Sequence, residues 1–297
     1  MRSVMKKLAR MAVFGAALAA MPTAAAMASD TGAVFSDTKR IVAVGGAVTE
    51  IVYALGEEGK LVARDSTSVY PEAAAKLPDV GYMRALSPEG VLSVNPTGIL
   101  ALKGSGPKDA IDVLKKSSVP FIEVPETYDH AGVLEKIRVV GKALGADDKA
   151  EKLAAELDTK LKAAEKQTAD VKDRKRVLFV LSMQNGKILA AGSNTAADGI
   201  IKMAGAINVA AEVPGYKQLA DEAVVTAAPD VILMMTHAGP PVSDEALFSN
   251  PAIAETPAGK EKKVIRMNGA YLLGFGPRTA YAIHDLAAAF YGNKIAN

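Results

Sequence analysis

The feature that most constrains this chain is an internal repeat. Residues 86–100 (LSPEGVLSVNPTGIL) align without gaps to residues 219–233 (LADEAVVTAAPDVIL). Leu86, Glu89, Val91, Pro96, Ile99 and Leu100 meet Leu219, Glu222, Val224, Pro229, Ile232 and Leu233. Each copy also has a Gly-Tyr pair just upstream, Gly81-Tyr82 and Gly215-Tyr216. The separation is far longer than the roughly 20–50 residues of a solenoid repeat. It predicts two halves of like topology with a cleft between them.

The flanking pattern supports that reading. In the first half, β-branched or apolar runs at 40–44, 61–63, 98–102 and 119–124 read as strands. Helical stretches at 49–55, 88–94 and 110–116 alternate with them; Ser87 caps the second and Gly56 stops the first. Strand and helix alternating at these spacings imply parallel pairing through crossover helices. The segment 146–171 is rich in Ala, Glu, Lys and Leu and has no Gly or Pro. It predicts one long helix, about 38 Å at 1.5 Å per residue. After it the pattern restarts, with strands at 176–181 and 188–191 and a helix at 195–204. The expected fold class is therefore α/β: two Rossmann-like lobes with central parallel sheets, residues 38–145 and 172–297, joined by one long α-helix at 146–171.

The first 28 residues carry an address. Arg2, Lys6, Lys7 and Arg10 precede an apolar stretch at 11–21, and Ala26-Met27-Ala28 offers a small-residue cleavage site. This is the layout of a signal peptide, with an apolar run shorter than the ~20 residues that span a bilayer. Removing it takes four cations and no acids from a net charge of +2, leaving −2, which disfavours nucleic acid as a partner. The chain has no cysteine, so it has neither disulfides nor a site for an N-terminal lipid. The expected mature protein has 297 less 28, or 269, residues. It is expected to be a monomer, free in the periplasm.

Two stretches carry a family resemblance. Residues 81–90 (GYMRALSPEG) and 268–278 (NGAYLLGFGPR) are similar to the corresponding segments of periplasmic haem-binding proteins. These form a subfamily of the cluster A (class III) substrate-binding proteins of ABC importers. The resemblance spans essentially the whole mature chain. It implies a carrier that delivers haem b to an ABC permease dimer in the inner membrane. It also implies that Tyr82 binds the haem iron as phenolate, an anionic oxygen suited to ferric iron. Arg84 is then expected to favour the charged phenol or to pair with a propionate. Met183 and His237 are further candidate haem contacts, with Tyr216 and Tyr271 of lower grade, while His130 and His284 read as structural. The absence of a histidine in the loop 182–186 argues against a second haem. Glu89 and Glu222, equivalent in the repeat, are expected to dock the permease, although a carboxylate at either position also suits a helix N-terminus.

Other readings fare worse. Zinc or manganese carriage needs several converging His, Asp or Glu ligands, and the three histidines are scattered. A ferric siderophore or cobalamin is the competing cargo. Enzymatic motifs are missing: there is no P-loop, nucleophile elbow, His-Glu-x-x-His or cysteine nucleophile. The chain is expected not to be an enzyme.

Overall fold

The structure is a computed structural model that describes residues 33–236, 242–292 and 295. Residues 1–28, expected to be a signal peptide, and His237 lie outside the described residues. Among the described residues, no helix is long and apolar enough to cross a membrane.

The first half opens with β1 (Ile41–Val44), α1 (Gly46–Ala54) and β2 (Leu61–Arg64). It continues with α2 (Pro88–Leu92), β3 (Gly98–Leu102), α3 (Lys108–Lys116) and β4 (Phe121–Val124). The sheet order is β2-β1-β3-β4, all parallel. β1 and β3 are buried along their whole length, as continuous apolar strands covered on both faces must be. Ser87 caps α2 by accepting a hydrogen bond from the Gly90 N–H. Two helices follow, α4 (His130–Ala143) and α5 (Asp147–Lys166).

The long helix is shorter than expected. α5 has 20 residues, about 30 Å, and ends at Lys166 instead of residue 171. The cause is tertiary. Thr168 is buried against Gly205, where an added Cβ would come within 2.2 Å of the Thr168 hydroxyl, so the chain turns inward there. Nor is α5 a bare connector. Ala150, Ala154, Leu157, Leu161 and Ala164 form a buried stripe at alternating four- and three-residue spacing. The helix packs on α4 and on the final helix of the chain.

The second half begins with β5 (Arg176–Gln184), β6 (Lys187–Ala191), α6 (Ala196–Met203), β7 (Ile207–Asn208) and β8 (Tyr216–Leu219). Then come α7 (Asp221–Ala227), β9 (Val231–Thr236) and the short helices α8 (Asp244–Phe248), α9 (Pro251–Ala254) and α10 (Pro257–Lys260). It closes with β10 (Val264–Asn268), α11 (Gly269–Leu273) and α12 (Thr279–Tyr291). The order is β10-β9-β5-β6-β8, with β7 beside β5. This sheet keeps the expected parallel centre and adds two antiparallel strands on one side. β5, β9 and β10 are parallel, but β6 and β8 pair antiparallel. The reason is local: Asn185 and Gly186 both have positive φ, 50° and 74°, which closes a two-residue hairpin between β5 and β6.

The repeat is real in three dimensions. α2 and α7 start at Pro88 and Asp221, and β3 and β9 start at Gly98 and Val231, each pair in the alignment's register. β3 lies between β1 and β4 as β9 lies between β5 and β10. Outer apolar clusters match too: Val42, Val91 and Leu114 on one sheet, Leu178, Val224 and Leu247 on the other. The inner faces share one core, which runs through Ile51, Ile137, Leu157, Phe179, Ile200 and Ile283.

Candidate functional site

The loops that follow the first sheet's strands are held by a buried carboxylate. Asp65, just after β2, is fully buried. It accepts hydrogen bonds from the Gly45 N–H at 2.9 Å, the Thr67 N–H at 2.9 Å, the Thr67 hydroxyl at 2.6 Å and the Ser68 hydroxyl at 2.7 Å. Four donors aimed at one anion offset its desolvation and freeze the loop. The Gly81-Tyr82 segment is tied to that loop on one side, where the Ser66 N–H donates to the Gly81 carbonyl at 2.9 Å. On the other side the Gly106 N–H donates to the Met83 carbonyl at 2.8 Å and the Leu86 N–H to the Gly106 carbonyl at 2.9 Å. A turn closes within it, from the Ala85 N–H to the Tyr82 carbonyl at 2.8 Å. So the backbone is fixed while Tyr82, 47% exposed, and Arg84 extend outward.

Both side chains act electrostatically on groups outside their own turn. Burial pushes the Tyr216 phenol up; the Arg84 guanidinium pulls it back and Tyr82 adds to the rise. Tyr216 belongs to β8, in the second half. Burial likewise raises the Tyr128 phenol, assisted by Glu126 and Tyr216 and opposed by Arg84. Tyr82 and Arg84 of one half and Tyr216 of the other therefore share one neighbourhood, with Glu126 and Tyr128 from the loop after β4.

Glu126 and Lys136 form a pair beneath this surface. Lys136, on α4, is fully buried, and its ammonium donates to Glu126 Oε1 at 2.8 Å. Burial raises the Glu126 carboxyl, with Lys136 and then Arg84 opposing, and burial lowers Lys136, with Glu126 opposing. A pocket of 410 Å³ lies beside Glu126 and Tyr128, walled across by Asn194 just before α6 and by Asp198, Gly199 and Lys202 of α6. Tyr82 and Arg84 are not part of its wall.

The remaining candidates divide. Met183 lies in β5 and packs against the outer core of the second sheet. The Tyr271 hydroxyl donates to Asp285 at 2.8 Å, and burial together with that carboxylate drives the phenol far up, so this oxygen is committed. Glu89 and Glu222 are exposed, each the second residue of its helix, and Glu89 accepts a hydrogen bond from the Ser87 hydroxyl at 2.7 Å. His130 bridges Asp158 at 2.9 Å and Glu165 at 3.0 Å, which staples α4 to α5. Among the described residues, no group of three His, Cys, Asp or Glu side chains converges as a metal site.

Sequence reasoning missed a charge cluster between the halves. Arg278, just before α12, donates to Glu50 of α1 through Nε at 2.9 Å and Nη2 at 2.5 Å. Glu50 is only 7% exposed, and the guanidinium lies 3.7 Å from the centroid of the Tyr70 ring. The signals were faint. Glu50 is one acid in an apolar helix, and Lys136 is one lysine in the stripe Val133, Lys136, Ile137, Val140.

The family model described as "Periplasmic binding protein" matches residues 41–271. The chain belongs to the periplasmic binding protein family. Among similar solved structures is the periplasmic heme-binding protein BhuT in complex with two hemes. It is 38% identical with a TM-score of 0.81, and the match covers 86% of this chain and 98% of that one. The apo form of the periplasmic heme-binding protein RhuT from Roseiflexus sp. RS-1 is 36% identical, TM-score 0.81, with 87% and 100% covered. Curated relatives include the uncharacterized ABC transporter substrate-binding lipoprotein YvrC of Bacillus subtilis (strain 168), 29% identical, covering 86% of this chain and 81% of YvrC. A vitamin B12-binding protein of Vibrio parahaemolyticus serotype O3:K6 is 28% identical, covering 86% of this chain and 90% of its own length. The family consists of transport binding proteins, and the two-sheet α/β architecture is that of its class III members.

Proposed function

We propose that this chain carries haem through the periplasm to an ABC importer and catalyses nothing. The observation that carries the reading is the Tyr82–Arg84 pair. It is presented on a hydrogen-bonded turn, acts electrostatically on Tyr216 of the opposite half, and belongs to a chain over a third identical to heme-binding neighbours along nearly their full length. Tyr82 would ligate ferric iron as phenolate. Arg84 would favour that charge or hold a propionate. In this reading residues 38–145 and 172–297 act as lobes on either side of the cargo, Glu89 and Glu222 meet the permease, and the monomer is free of a lipid anchor because it has no cysteine.

Titration of the protein with hemin, followed by visible absorbance, tests the assignment. The wild type should develop a ferric tyrosinate band. Tyr82→Ala should lose it and bind at least about a hundredfold more weakly, or about 2.8 kcal/mol. An unchanged spectrum in Tyr82→Ala overturns the reading. The vitamin B12-binding relatives favour one competing cargo, cobalamin. Tighter binding of hydroxocobalamin than of hemin would establish it.

A further inference from the structure

We propose that Tyr70 is a second aromatic wall for the cargo, held in place by the Glu50–Arg278 pair; the proposal rests on the haem reading above. Tyr70 is a large aromatic residue left 46% exposed, beside Val69 at 50%. Loose surface aromatics are ordinary, but this one is not loose. Its ring has the Arg278 guanidinium 3.7 Å from its centroid, and that guanidinium is clamped by both oxygens of buried Glu50 and lies 5.3 Å from the Tyr271 ring. The covered face being fixed, the exposure belongs to the rest of the ring. The loop beneath is equally rigid, through Asp65 and through a 2.7 Å contact between the Thr49 and Ser68 hydroxyls.

This loop is the one bonded to the Tyr82 segment. The Ser66 N–H donates to Gly81, and the Thr67 hydroxyl sits 3.9 Å from the Met83 sulfur. Val69, Tyr70 and Tyr82 thus expose apolar surface from adjoining loops at one end of the first sheet. A flat, largely apolar tetrapyrrole fits such a surface, because a ring already immobilised loses little entropy when a ligand stacks on it. The competing account makes Tyr70 only a cover for the guanidinium. That account predicts no effect on cargo.

The test uses the full chain loaded with hemin and measures the rate of hemin loss to excess apomyoglobin, with melting of the unloaded protein as a control. Tyr70→Ala should keep the tyrosinate band but release hemin about tenfold faster, which corresponds to about 1.4 kcal/mol. Tyr70→Phe should stay within about twofold of wild type by the same conversion. Tyr70→Leu, which keeps an apolar cover on Arg278, replaces the alanine variant should that one melt early, and should also release faster than Tyr70→Phe. Wild-type release from Tyr70→Ala, alongside loss of the band in Tyr82→Ala, overturns this proposal alone. A wild-type spectrum in Tyr82→Ala overturns the haem reading and this inference with it.

Discussion

Arg278→Ala is the perturbation whose outcome the structure specifies most fully. It removes two charge-assisted hydrogen bonds, at 2.9 and 2.5 Å, and leaves a carboxylate only 7% exposed without its cation. Breaking a buried ion pair from one side costs about 3–5 kcal/mol. The Arg278 side chain is 22% exposed, so water screens part of the pair and the lower end, about 3 kcal/mol, applies. For a chain of this size that lowers Tm by about 6–12 °C. The loss should depend on pH in a defined direction. Burial already raises the Glu50 carboxyl, and Arg278 is what pulls it back. Without Arg278 its folded pKa climbs further above the unfolded value of about 4.3. A raised acid is most stabilising below the unfolded value, and that stability disappears as pH rises through the folded one. The deficit should therefore be largest near pH 7 and shrink toward pH 4. Urea unfolding followed by far-UV circular dichroism is the suitable assay, since the chain has no tryptophan. A deficit below about 1 kcal/mol at pH 7, or one equal at both pH values, refutes the argument.

Lys136→Met should destabilise by about 3 kcal/mol by stranding Glu126, and adding Glu126→Gln should restore most of that in the same urea assay. Gly199→Val should cost about 1–3 kcal/mol, because a Cβ there meets the Tyr128 carbonyl oxygen at 2.3 Å; thermal melting reads it. Glu89→Arg with Glu222→Arg should leave hemin affinity unchanged, since both are exposed on helix starts, yet abolish stimulation of the permease's ATPase in reconstituted vesicles.

The fold was legible where the physics is local. β3 was read to the residue, and β1 and β6 to within one, because continuous apolar runs between turn residues leave few alternatives. The repeat exposed the shared topology directly, since Pro96 and Pro229 punctuate equivalent helix–strand junctions. The antiparallel β5–β6 hairpin escaped because residues 182–186 were read as a cleft loop, although Asn185-Gly186 is a strong hairpin signal. The end of α5 escaped for a different reason: Thr168 is buried by a glycine 37 positions later, which no local propensity encodes. Of the proposed site, Tyr82 and Arg84 are singled out by their motif. The Glu50–Arg278 and Glu126–Lys136 pairs are not, since each joins residues whose nearness is a product of the tertiary fold.

In the haem reading, the phenolic oxygen of Tyr82 binds iron held between the two similar halves. A crystal structure of the protein grown with hemin measures that contact directly. Tyr82 Oη is expected at bonding distance from the iron, with the Arg84 guanidinium beside the phenolate or on a propionate. Iron bound by any other side chain, or hemin seated away from the Tyr82 turn, would contradict it.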